Sequence, residues 1–207
     1  MSRIHIVGMG PGGGEYLLPA ARSVIEKSDA VVGGRRHLTA LDLRGKETLE
    51  LTGDLAAVVD YLKENYGKKD ISVLASGDPG FYGILGYLRK HFRGDELDCV
   101  PGISSLQYLF ARIGMTWEDA FQGSLHGRDA DIVETVRAHR KAGFLTDDTR
   151  GYPAIARLLS DNGLGDRMMY VGSNLSYQDE EILRGRAKDL AAGGKKFSLC
   201  AVVIADE

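Results

Sequence analysis

The chain has 207 residues, enough for one large domain or two small ones. With 43% hydrophobic and 27% charged residues, its composition is that of a globular protein and excludes a disordered or fibrous chain. A net charge of −3 makes no electrostatic case for a nucleic-acid partner. No apolar run approaches the ~20 residues of a bilayer span, and a strand pattern begins too soon after Met1 for a signal peptide. A cytoplasmic location without a membrane or nucleic-acid partner is therefore expected. Cys99 and Cys200 lie in apolar, strand-like stretches and read as two buried thiols in a reducing compartment. The five histidines show no paired ligand spacing, so no protein-bound metal is expected.

In chain order, Ile4–Val7 reads as a short strand, Glu15–Lys27 as a helix with Leu17, Leu18, Ala21, Val24 and Ile25 at helical spacing, and Ala30–Val32 as a second strand. A helix over Gly53–Asn65, a strand over Ile71–Ala75, a helix over Phe81–His91, a strand over Leu97–Val100 and a helix over Ser104–Ile113 follow. Beyond a break at Gly114 come a helix over Ile132–His139, a strand over Gly143–Thr146 and a helix over Pro153–Ser160. The last elements are strands over Met168–Val171, Glu181–Gly185 and Leu199–Ala205. Strands alternating with helices predict an α/β protein with at least partly parallel sheets. The break places a domain boundary so that residues 1–113 form one α/β domain and 114–207 a second.

The 27 glycines gather at Gly8–Gly14, Gly33–Gly34, Gly77–Gly86 and Gly193–Gly194, which predicts tight turns or close backbone approach to a ligand. Gly8-Met9-Gly10-Pro11-Gly12-Gly13 matches the G-x-G-x-x-G dinucleotide fingerprint and sits between a strand and a helix. Two features oppose that reading. Pro11 removes an N–H from a loop whose amides should face pyrophosphate. The second strand ends in Gly33-Gly34-Arg35-Arg36, where the fingerprint needs an acid for the ribose. A plain strand-to-helix turn is the alternative. Ser76-Gly77-Asp78-Pro79-Gly80-Phe81-Tyr82 follows the third strand, with Asp78 read as an N-cap and Pro79 as the first helical residue. Val100-Pro101-Gly102-Ile103-Ser104-Ser105 follows the next, with Ser104 or Ser105 as a cap. Each loop alone has a structural explanation. Together they leave the carboxyl ends of successive strands, the edge at which open α/β sheets bind ligands.

These three loops resemble the pattern of the tetrapyrrole methylases: Gly-x-Gly-Pro-Gly at Gly8–Gly12, Gly-Asp-Pro at Gly77–Pro79 and Pro-Gly-x-Ser-Ser at Pro101–Ser105. Gly172-Ser173-Asn174-Leu175-Ser176 and the following Asp179-Glu180-Glu181 resemble a late loop of the same family, so the resemblance spans the chain. It implies a two-domain class III methyltransferase fold with S-adenosylmethionine in the cleft between domains, and a homodimer. The donor site it implies comprises Met9, Gly10, Pro11, Ser76, Gly77, Asp78, Phe81, Ser104 and Ser105, with Leu145, Thr146, Asn174 and Leu175 from the second domain. Thr146-Asp147-Asp148 stands where several relatives carry Met-Gly. Gly34-Arg35-Arg36-His37-Leu38 and Ser124-Leu125-His126-Gly127-Arg128 are similar to the branch that methylates carbon 5 of precorrin-6Y or cobalt-precorrin-7 on the way to cobalamin. Some members of that branch carry a fused decarboxylating carbon-15 methyltransferase, which the resemblance makes a separate partner here.

A methyl donor that carries its own leaving group needs orientation more than acid–base machinery, and no catalytic triad is expected. His37, His126 and Tyr82 are the candidates for a proton acceptor or donor. A tetrapyrrole bristling with carboxylates calls for arginine forks, and Arg35, Arg36 and Arg128, with His37 and His126 alongside, are the expected substrate residues. A diphthine synthase or RNA methylase of the same superfamily, or a nucleotide-binding module without chemistry, would share the loops.

Overall fold

The computed structural model describes residues 3–125, 131–146, 151–193, 197 and 200–206. The elements are β1 (Ile4–Gly8), a 3-10 turn at Gly14–Tyr16, α1 (Pro19–Lys27), β2 (Ala30–Gly33), α2 (Arg35–Thr39), β3 (Glu47–Glu50), α3 (Leu55–Asn65), β4 (Ile71–Ala75), α4 (Leu85–Leu88) and β5 (Leu97–Val100). After them come α5 (Ser105–Arg112), β6 (Phe121–Ser124), α6 (Ile132–Ala138), β7 (Lys141–Leu145), α7 (Tyr152–Asp161), β8 (Met168–Ser173), β9 (Glu181–Arg186), α8 (Ala187–Leu190) and β10 (Cys200–Ala205). Two compact units result, Met1–Ser104 and Ser105–Glu207. Among the described residues no helix is long and apolar enough to cross a membrane.

The first unit holds a parallel sheet in the order β3-β2-β4-β1-β5. Its central strands bury both faces. Ile4, Ile6, Ala30, Val32, Ile71 and Val73 pack with Val58, Val59 and Leu62 of α3, while Val7, Val31 and Leu74 pack with Ala21 and Ile25 of α1. That is why these strands read as unbroken apolar runs. Local chemistry sets the helix ends. Asp54 accepts from the amides of Ala56 and Ala57 at the start of α3 (3.1 Å each), and Pro19 opens α1. The Lys46 ammonium donates to the carbonyls of Glu26 and Ser28 (2.8 and 2.6 Å) at the far end of α1, where such a cation is favoured.

The second unit holds a mixed sheet in the order β6-β7-β10-β8-β9. β6 and β7 run parallel, while β10 is antiparallel to both β7 and β8. The carboxyl ends of β7 and β8 consequently share one edge. Phe144, Ile155, Leu159, Met169, Val171, Val202 and Ile204 make the core beneath α6 and α7.

Several expectations change. The boundary lies at Ser104/Ser105 instead of 113/114, because α5 turns Leu106 and Phe110 onto Gly143 of β7 and so joins the second sheet. The helix expected over Phe81–His91 is regular only over Leu85–Leu88. Gly80, Gly83 and Gly86 weaken it, and the chain turns sharply first, with Tyr82 at φ 53°. The stretch after Gly34 is helical, so Arg35, Arg36 and His37 stand on α2 rather than in a loop. Cys200 is buried, and burial pushes its thiol up to about 11; Cys99, on edge strand β5, is exposed. Both cysteines are free.

The glycine at 143 tests the reassignment of α5. A β-carbon there would lie 3.2 Å from both Leu106 and Phe110, which are fully buried. Gly143→Val is expected to cost roughly 1–3 kcal/mol by overpacking, read as a lower urea midpoint.

Candidate active site

β1 lies between β4 and β5, so the loops that leave these three strands are neighbours. Their backbones touch. A β-carbon on Gly8 would lie 2.6 Å from the Gly102 amide nitrogen and 2.8 Å from the Gly77 carbonyl oxygen; one on Gly102 would collide with that same oxygen. Gly10 and Gly77 form a two-bond antiparallel bridge, with Gly10 N donating to Gly77 O (3.2 Å) and Gly77 N to Gly10 O (2.9 Å). Both need glycine, at φ 76° and 64°. Met9 N donates to Ala75 O (2.9 Å), and the Met9 side chain belongs to the core.

Asp78 is not a helix cap. Its Oδ1 accepts from Gly80 N (2.8 Å) and its Oδ2 from Gly102 N (3.1 Å), so the carboxylate folds its own loop and ties it to the third. Past it, a β-carbon on Gly83 would meet Pro79 O at 2.5 Å, a turn too tight for a helix to begin at Pro79. Phe81 and Tyr82 stand edge to face, 5.0 Å between centroids. Ser104, buried, ends the third loop, and Ser105 is the first residue of α5 in the second unit. The structure therefore brings Met9, Gly10, Pro11, Ser76, Gly77, Asp78, Phe81 and Ser104 to one sheet edge.

This edge is unsuited to pyrophosphate. The amides of Met9 and Gly10 are spent on β4 and its loop, Pro11 has none, and α1 begins only at Pro19. No Lys, Arg or His occurs in Gly8–Gly14, Ser76–Tyr82 or Pro101–Ser105. Carbonyls, hydroxyls, one carboxylate and an aromatic pair fit a cationic nucleoside such as a sulfonium methyl donor.

Arg22 of α1 reaches the first loop, donating to Gly14 O (3.5 Å), and further basic residues stand one strand away, on α2. Arg35 is exposed. The His37 ring reaches back to the loop after β4, with Nε2 3.2 Å from Ser76 Oγ. Burial, and then the charge of Arg36, push its pKa down to about 4, and its Nδ1 is buried without a partner among the described residues. His126 and Arg128 lie outside the described residues.

In the second unit, Leu145 and Thr146 end β7, and Asn174 and Leu175 follow β8, flanking the start of β10. The Thr146 hydroxyl donates to Cys200 O (2.8 Å), the Asn174 side-chain amide donates to Asp179 Oδ2 (2.7 Å), and Leu175 is buried against Gly172, so three of these four side chains are committed to the fold. The turn is strained, with Asn174 at φ 47° and Ser176 at 69°. Glu180, named in the sequence only as part of the Asp179-Glu180-Glu181 run and given no role there, holds it. Its carboxylate accepts from Ser176 N (2.7 Å), Arg112 Nε (2.8 Å) and the Tyr108 side chain. Burial alone would raise the Glu180 pKa; these bonds outweigh it and hold it below the usual range.

The model of the Tetrapyrrole (Corrin/Porphyrin) Methylases matches residues 3–191. The chain belongs to the tetrapyrrole methylase family. It is 39% identical over 204 residues to the cobalt-precorrin-7 C(5)-methyltransferase of Salmonella typhimurium, which spans 99% of both chains. The crystal structure of a cobalamin biosynthesis precorrin-6Y methylase from Archaeoglobus fulgidus shares the fold with a TM-score of 0.77 at 21% identity, over 99% of this chain and 98% of that one. A uroporphyrin-III C-methyl transferase from Thermus thermophilus, complexed with S-adenyl homocysteine, shares it with a TM-score of 0.78 at 20% identity, over 99% and 98%. This methylase is accordingly a methyltransferase with the family's α/β fold.

Two outcomes follow from the geometry. Gly102→Ala places a β-carbon against the Gly77 carbonyl and is expected to cost roughly 1–3 kcal/mol in urea unfolding. Gly94→Ala, in a turn outside these loops and with nothing within 4 Å, is the neutral control. Between pH 6.5 and about 4 the unfolded chain protonates His37 while the folded chain refuses the proton. The fold therefore loses stability as pH falls through that window, by about 3 kcal/mol for this group, and His37→Gln is expected to flatten that part of the stability profile.

Proposed function

We propose that this methylase transfers a methyl group from S-adenosylmethionine to carbon 5 of a precorrin or cobalt-precorrin in cobalamin biosynthesis. The observation that carries the reading is the interlocked trio of loops without a basic side chain, in a chain related over its whole length to a carbon-5 methyltransferase. The donor supplies a methyl group on a positively charged sulfur. The chain's own task is to hold donor and acceptor carbon in line and keep water out, which can supply on the order of 7–11 kcal/mol.

Met9, Gly10, Pro11, Ser76, Gly77, Asp78, Phe81, Ser104 and Ser105 are the donor residues of this reading, with Leu145, Thr146, Asn174 and Leu175 as further contacts. Backbone carbonyls of the loops tolerate a cation, and the Phe81 and Tyr82 rings offer it an apolar wall. Arg35 and Arg36 take tetrapyrrole carboxylates, as do Arg128 and His126. His37 is neutral near pH 7 and adds no charge to the arginines beside it. Tyr82, with His37 and His126, is a candidate to move a substrate proton. A homodimer, as the family resemblance implies, and a cytoplasmic location complete the proposal.

Calorimetry with S-adenosylhomocysteine tests the reading. One site per chain is expected, and a thermal shift near 2.7 kcal/mol of stabilisation at about a hundredfold excess over Kd. NAD should give none; the reverse pattern excludes a methyltransferase. Arg35→Ala should lower kcat/KM for the tetrapyrrole roughly 10- to 100-fold and leave S-adenosylhomocysteine affinity unchanged.

A further inference from the structure

The ends of β2 and β4 are paired neighbours, Val32 opposite Val73, and this brings α2 against the loop after β4. The contact it makes there is between His37 Nε2 and Ser76 Oγ, at 3.2 Å. Ser76 is exposed at the candidate edge; the His37 ring is half-buried, and its Nδ1 has no partner among the described residues. Burial and Arg36 keep this imidazole uncharged at neutral pH, so it carries one N–H and one lone pair. A buried N–H without an acceptor is rarer than a buried acceptor without a donor. The favoured tautomer therefore has the proton on Nε2, donating to Ser76 Oγ, and the bare lone pair on Nδ1.

A hydroxyl that accepts at its oxygen from one side turns its own proton to the other. Among the three loops, which hold no basic side chain, a fixed outward O–H is what a ligand's acceptor oxygen needs. We propose that His37 is a positioning residue that fixes Ser76 as a hydrogen-bond donor to a carboxylate of a bound ligand. The inference rests on the methyltransferase reading, in which carboxylates come from two sources, the amino-acid end of the donor and the side chains of the tetrapyrrole. His37 acts through Ser76 on either.

A double-mutant cycle tests it, with His37→Phe, His37→Gln, Ser76→Ala and the His37→Phe/Ser76→Ala pair in the full chain. Four constants are measured: Kd for S-adenosylhomocysteine, Kd for 5′-methylthioadenosine, which lacks the amino-acid end, and KM and kcat for cobalt-precorrin-7. His37→Phe and Ser76→Ala should each weaken one carboxylate-bearing ligand about tenfold, and the pair should be no worse than either alone. His37→Gln, whose amide N–H reaches the same position, should recover most of the loss. Weaker S-adenosylhomocysteine with unchanged 5′-methylthioadenosine assigns the carboxylate to the donor; a raised tetrapyrrole KM with both nucleosides unchanged assigns it to the substrate. Additive losses in the pair, wild-type constants throughout, or no recovery with His37→Gln overturn the inference. Wild-type chain that binds no S-adenosylhomocysteine overturns the methyltransferase reading and the inference with it, and that result is seen before any variant is made.

Discussion

The contact on which the rest of the first unit's edge depends is made between glycine backbones at the carboxyl ends of β4, β1 and β5. Gly8, Gly77 and Gly102 approach so closely that a β-carbon on Gly8 or Gly102 would strike a neighbouring backbone. Adjacent parallel strands lie about 4.8 Å apart, and loops leaving three of them at one edge must cross within that spacing. Glycine at the crossings, the Gly10–Gly77 bridge and the Asp78 link to Gly102 are the local answers. The amides of Met9, Gly10, Gly77, Gly80 and Gly102 are used in holding these loops together, and no basic side chain stands among them.

That residue chemistry separates two kinds of charge. The interlocked loops carry no basic side chain, while α2, one strand away, carries Arg35 and Arg36. His37 stands between them and is held neutral, since a proton on it would be poorly solvated and repelled by Arg36. Backbone strain is distributed in the same way. The non-glycine residues with positive φ among those described, Tyr82, Asn174 and Ser176, all follow β4 or β8 in loops that carry candidate residues. In the second unit the Glu180 carboxylate, gripped by Arg112 and the Ser176 amide, keeps such a turn in place.

The sequence by itself determined what near neighbours along the chain encode. Apolar alternation and helical spacing placed most strands and helices, and the glycine, proline and aspartate signals marked the three loops and the order in which they come. Elements with weak periodicity were not legible: α2 hides behind Gly33-Gly34, and Glu47–Glu50 reads as polar surface because β3 is an exposed edge strand. Only the tertiary structure decided which sheet α5 covers, since its apolar face would be the same against either. It also decided that Asp78 binds an amide 24 residues away instead of capping a helix, and that His37 meets Ser76 across 39 residues. Such pairings depend on strand order, and strand order is fixed by the packing of distant segments, for which no local pattern in the chain is diagnostic.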